Sequence, residues 1–126
     1  MRYIIVLFIF CAAGILKAQQ QSSDVMGKLL RYDSLAAVHH NKDTKLAVEY
    51  NRKALEQAII LADSAILGNV HYNMASALSN EGSLQESLIH WDHALSYVST
   101  TRDSARILNE KGAVFVESGD PDQALG

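Results

Sequence analysis

The chain is poor in the residues that staple or punctuate a fold: one proline, one cysteine and 7% aromatics in 126 residues. The single cysteine, Cys11, lies in an N-terminal apolar run. The rest of the chain therefore has no disulfide framework, no thiol nucleophile and no thiolate metal site. Basic residues are fewer than acidic ones, 11 against 14, and form no cluster, which argues against a nucleic-acid partner. A long apolar run is also missing, because residues 4–16 supply 13 apolar positions, short of the roughly 20 that a membrane-spanning helix needs. No segment alternates apolar and polar residues as a strand does, and no Asn-Gly or Asp-Gly hairpin turn occurs.

What is present begins with a segment to set aside before any fold argument. Arg2 precedes the apolar run Ile4 to Leu16, and Ala18 offers a small residue at its end, so residues 1–18 read as a secretory signal peptide. The alternative is an uncleaved membrane anchor. A lipid-attachment signal fits poorly, because Cys11 follows Phe8, Ile9 and Phe10 rather than a small residue. Removing residues 1–18 takes away two basic residues and no acidic one, so the net charge moves from −3 to −5. The expected location is outside the cytoplasm, periplasmic or secreted, with no membrane insertion of the mature chain unless the signal segment is retained.

Residues 19–23 are polar and small and read as a short tether, after which Asp24 is placed to cap a helix running to about His40. Asp43 caps a second, whose stripe is Leu46, Ala47, Tyr50, Ala54, Leu55, Ala58 and Ile59. Ile66, Leu67, Val70, Met74, Ala75 and Leu78 form the stripe of a third, stopped at Gly82. Ser83 and Glu86 have the spacing of a capping box for a fourth helix, with Leu84, Leu88, Trp91, Ala94, Leu95 and Val98 on its apolar side. A fifth begins near Thr101 and ends at Gly119, and Asp120, Pro121 and Gln123 announce a sixth. The expected fold class is all-α.

The chain also repeats itself. Lys42, Gly82 and Gly119 occupy equivalent turns, Ala47, Ser87 and Ala124 follow each turn at the same interval, and Ala54 and Ala94 follow further on. A two-helix hairpin cannot bury both its stripes alone, so hairpins stack, and small residues at the crossings let them approach. This pattern resembles the tetratricopeptide repeat, a unit of about 34 residues with W-x2-L-G-x2-Y, a glycine turn and A-x3-F-x2-A. Gly112, Phe115, Gly119, Asp120 and Ala124 match it best. Met74, Ala75, Leu78, Gly82, Ser87, Trp91 and Ala94 form a second copy, and Val38, Ala47 and Ala54 the core of a first. The family's tryptophan is replaced by Arg31, His71 and Leu108, and its closing proline by Ile59 and Ser99. The resemblance covers residues 24–126, about three helix pairs with the last incomplete, and implies antiparallel hairpins stacked in a right-handed α-solenoid.

It further implies a module that binds a peptide or partner protein in a groove lined by the first helix of each pair. Carrying the family's groove positions across gives Tyr32, Ala36 and His39, then Asn69, Tyr72, Ser76 and Ser79, then Arg106, Asn109 and Ala113. Only Arg106 among them is basic, so the carboxylate-clamping mode of the family is disfavoured. Repeats of this kind behind a signal sequence also resemble the sensory input region of longer bacterial regulators, which is the alternative reading. Trp91 is expected in the core, and Asp33, Glu49, Glu56, Glu81, Glu86 and Glu110 on solvated faces. His90 and His93 lie three apart, but adjacent His39 and His40 point about 100° apart, and no third ligand is spaced to complete a metal site. Nothing gathers an acid and a base, and the G-x-S-x-G, P-loop and dinucleotide fingerprints are missing. No catalytic chemistry and no cofactor are therefore expected.

Overall fold

The computed structural model describes residues 2–119. Five helices follow in order: α1 (Arg2–His39), α2 (Thr44–Leu61), α3 (Ser64–Glu81), α4 (Leu84–Tyr97) and α5 (Thr101–Glu117). There is no strand among the described residues. Each helix packs on the next in sequence, and the connections 40–43, 62–63, 82–83 and 98–100 are short enough to reverse the chain each time. The sixth helix announced by Asp120, Pro121 and Gln123 lies outside the described residues.

Two expectations at helix starts are corrected. Helix α1 runs without a break through residues 19–23, so the tether is helical there and Asp24 does not open a helix. No glycine or proline interrupts Ile15 to Met26, and glutamine is a good helix former; the Gln20 amide donates to Asp24 Oδ1 at 3.3 Å along the helix. The Ser83–Glu86 capping box does not form either. Ser83 makes no side-chain cap, its hydroxyl donates to Glu81 Oε2 at 3.2 Å, and Glu86 is held by Arg52 at 2.7 Å. Side-chain caps are made by Asp43 to the Leu46 N–H, Asp63 to the Ile66 N–H and Thr100 to the Asp103 N–H, each at 3.1 Å.

The ends of the helices follow from backbone freedom. Gly82 takes a left-handed φ of 95° and its N–H reaches back to Leu78 O and Ser79 O, as a glycine after a helix should. Ala62 takes the same role after α2 at φ 53°, a conformation that an L side chain resists.

Small side chains hold the crossings. Ala47, Ala54, Ala58, Ala75, Ala94 and Ser87 are all fully buried, and larger ones fill the seams between. Ala75, Trp91, Ala94, Ile107 and Val114 join α3, α4 and α5, while Leu29, Ala54, Ala58 and Val70 join α1, α2 and α3. Helix α3 is buried on two sides, since Val48, Met74, Ala77 and Leu78 form a third cluster with α2. Near its start Gly68 meets α4, where an added Cβ would lie 3.1 Å from Tyr97 Cβ.

Among the described residues, none N-terminal to Val25 belongs to these clusters. Val6, Phe8, Ile9, Phe10, Ile15 and Leu16 are exposed, and burial begins at Val25. Among the described residues no helix is long and apolar enough to cross a membrane.

Overpacking a crossing is expected to be costly where the same change in solvent is not. Ala54→Leu should lower the free energy of unfolding in urea by roughly 1–3 kcal/mol, whereas Ile59→Leu, on the exposed side of the same helix, should change it by less than about 0.5 kcal/mol. Equal effects of the two would contradict the assigned crossing.

Candidate functional site

Contacts beyond neighbouring helices sort the molecule into two rows. Arg106 of α5 lies over Tyr72 of α3, and Asn80 of α3 donates to His40 O beside the end of α1. On the other row Arg52 of α2 pairs with Glu86 of α4. The odd-numbered helices thus present one face and the even-numbered helices another, and two depressions open between odd-numbered helices, with Asn51 of α2 and Tyr97 of α4 also in their linings.

The depression between α3 and α5, about 260 Å³, is lined by Asn69, Tyr72, Tyr97, Asp103 and Arg106, among others. Tyr72 is placed from below by Trp91, which meets it edge-on at 4.9 Å and 80° between planes. Trp91 itself is 1% exposed and its indole N–H has no hydrogen-bond partner. The Arg106 guanidinium sits 4.6 Å from the Tyr72 ring centroid, a cation–π contact of about 0.5–1 kcal/mol at an exposed site. An aromatic face, an amide and a guanidinium therefore converge on one opening, a set suited to gripping an extended chain by both its apolar and polar parts.

The depression between α1 and α3, about 360 Å³, is lined by Asp33, Ala36, Ala37, His40, Asn41, Asn51, Asn73 and Ser76. Asn51 is buried from α2 and donates through Nδ2 to Ala47 O at 3.0 Å. Asp33 is half-buried rather than on a solvated face, and burial pushes its carboxyl above the ordinary carboxylate value.

The predicted groove residues divide accordingly. Asn69, Tyr72 and Arg106 come together between α3 and α5, and Ser76 lines the other depression. Tyr32 and His39 do not join them. Both stack instead on Tyr50 of α2, at 6.4 and 5.9 Å between centroids, with Lys53 Nζ 5.9 and 5.8 Å from the two tyrosine rings. Ala36, though largely buried, lines the α1–α3 depression with Ser76, Ser79 has an enclosed hydroxyl without a partner, and Asn109 and Ala113 are exposed on α5 outside both depressions.

A third histidine joins the pair foreseen on α4. His71 of α3 is 9% exposed, and its Nδ1 lies 3.0 Å from His90 Nδ1. Its ring also lies 4.8 Å from His93 and 5.9 Å from Tyr97. One nitrogen of the His71–His90 contact must donate and the other accept, which two imidazolium rings cannot do. Burial, then the neighbouring His90 and His93, lower the His71 pKa to about 4; burial also lowers that of His90, against the pull of Glu86. Among the described residues no three His, Cys, Asp or Glu side chains are placed to hold a metal ion.

Compared with protein-family models, curated proteins and solved structures, the chain finds no match.

The histidine cluster carries a pH dependence of defined sign. With a folded pKa of about 4 against 6.5 for the free side chain, His71 binds fewer protons in the folded chain than in the unfolded one between those values. Its contribution is complete above pH 6.5 and is lost as pH falls toward about 4. Urea midpoints measured across that window should decline in the wild type and decline less in His71→Gln. An equal decline in both would show that the contact between α3 and α4 does not carry the effect.

Proposed function

We propose that the chain is an exported protein-interaction module. It binds a peptide, or an extended segment of a partner protein, along the face of α1, α3 and α5, and supplies no chemistry of its own. Stacked helix hairpins of the tetratricopeptide kind, coiling as a right-handed solenoid, are the architecture this reading assigns. The observation that carries it is the convergence of Asn69, Tyr72 and Arg106 at one opening between two helices of the same row. Alanine at the crossings and the division into two rows support the repeat architecture. Export is supported by the exposure of Val6, Phe8, Ile9, Phe10, Ile15 and Leu16 in the apolar run, since among the described side chains of residues 1–18 none is buried.

A displayed peptide library selected on the immobilised chain tests this. Affinities of the selected peptides should fall by about tenfold, or 1.4 kcal/mol, in Tyr72→Ala and measurably in Asn69→Ala. They should be unchanged in Glu56→Ala on the exposed side of α2. Circular dichroism checks that the variants keep their helices. Affinities indifferent to Tyr72 and Asn69, or lost in Glu56→Ala, would overturn the assignment of the face.

A further inference from the structure

We propose that the histidine contact between α3 and α4 is a pH switch on the opening between α3 and α5, holding one wall of it in place at neutral pH and releasing the bound peptide in acid. The switch rests on the peptide-binding reading above and adds a control to the same opening.

Tyr97 belongs to both places. It is the last residue of α4, it lines the opening together with Gly68, Asn69 and Tyr72, and its ring stacks on His71 at 5.9 Å between centroids and 11° between planes. Little else holds it. Helix α4 runs out into extended backbone at Val98 (φ −81°, ψ 143°), without the left-handed turn that closes α2 and α3. Gly68 faces Tyr97 Cβ from α3 and has no side chain to grip it. The stack on His71 is therefore the contact that orients the Tyr97 ring.

His71 can keep that position only while its own contact is intact. Its Nδ1 and that of His90 are 3.0 Å apart while the ring centroids are 5.2 Å apart, so the two nitrogens face each other between the rings. Such a contact needs one N–H donor and one bare nitrogen. A first proton must enter a half-buried place with the His93 ring 4.8 Å from His71. A second sets two donors and two positive charges against each other. The charged groups nearby do little to offset this. Glu86, one turn before His90 on α4, favours a proton on His90 but is itself paired with Arg52 of α2 at 2.7 Å, and Arg52 opposes that proton. On the side of α5, Asp103 and Arg106 line the opening, and Asp103 already accepts from Thr100 Oγ1 at 2.7 Å.

Solvent reaches the cluster from its outer side, where His93 is exposed and Tyr97 is 37% exposed. Burial and the neighbouring imidazoles hold the His71 pKa at about 4, and a His71 displaced into water regains the ordinary 6.5. The closed form thus binds fewer protons between those values, and acid favours the displaced form. From His71 alone the ratio of displaced to closed form rises about twentyfold between pH 7 and pH 5. His90, also lowered by burial, adds in the same direction. Displacement frees Tyr97, and the opening loses the wall beside Tyr72.

Peptides selected on the full chain at pH 7, amidated and free of histidine and carboxylates, test this through their affinities at pH 7 and pH 5. Wild-type affinity should fall at least about threefold at pH 5, with the helical circular dichroism kept. In His90→Gln the fall should be less than half as large on a logarithmic scale, because an amide can donate or accept and keeps the contact in either charge state of His71. Tyr97→Phe and His39→Gln should keep the wild-type fall. Tyr97→Ala should bind more weakly at pH 7 and lose the fall. In the free ¹⁵N-labelled chain the amide signals of Gly68 and Tyr97 should move between the two pH values, and those of Ala47 and Ala54 on α2 should not. Unmoved Gly68 and Tyr97 signals, an undiminished fall in His90→Gln or Tyr97→Ala, or loss of the helices in the wild type at pH 5 would each overturn the proposal. Peptides that need Tyr72 yet bind equally at both pH values would overturn the switch alone. Peptides that weaken in acid but tolerate Tyr72→Ala would overturn the assigned opening instead.

Discussion

The distance at which these helices meet is set by alanine, and the rest of the molecule depends on that distance. Ala47, Ala54 and Ala58 on α2, Ala75 on α3 and Ala94 on α4 are entirely out of solvent. With no side chain beyond Cβ, each lets a neighbouring backbone approach closely while losing no rotamer freedom on burial. Close approach lets α3 pack on α2 and α4 at once, so that its buried residues occupy two faces rather than one stripe. It also brings helices of the same row near enough for Arg106 to reach Tyr72 and for Asn80 to reach His40 O.

Large side chains then work as supports around these crossings. Trp91, Met74 and Leu78 fill the seams, and the edge of Trp91 under Tyr72 carries the order of the core out to the surface. Each opening on the odd-numbered face is therefore backed by packed core, so a ligand would meet side chains already held in place, with little ordering cost on binding. The same packing forces polar groups into less comfortable positions. Asp33 keeps an unpartnered oxygen, and His71 is pressed against two other imidazoles between α3 and α4. The histidine contact ties the stability of the α3–α4 hairpin to pH.

Helix content, the Asp43 cap, the Gly82 stop and the burial of Trp91 were all legible from spacing, because each depends on residues within one or two turns of one another. The failures share the opposite property. Ser83 and Glu86 have the spacing of a reciprocal cap, but Glu86 is claimed by Arg52 from another helix, which no local pattern reveals. The left-handed Ala62 gives no glycine signal, and the polar run 19–23 is helical because nothing in it forbids a helix begun on either side. Tyr32 and His39 were placed at the groove positions that the family resemblance implies; both stack instead on Tyr50 of α2, a contact with another helix that the repeat spacing does not reveal. His71 matters through partners on another helix, and its own surroundings in sequence are those of an ordinary helix residue.

Whether α1, α3 and α5 form a single binding face is answered most directly by amide hydrogen exchange of the chain with and without a saturating selected peptide. Slowed exchange should appear on residues of α1 from Asp33 onward, on the Asn69 to Ser76 part of α3 and around Arg106 of α5, with α2 and α4 unchanged on their exposed sides. Protection gained on α2 and α4 while the odd-numbered helices exchange as before would contradict it.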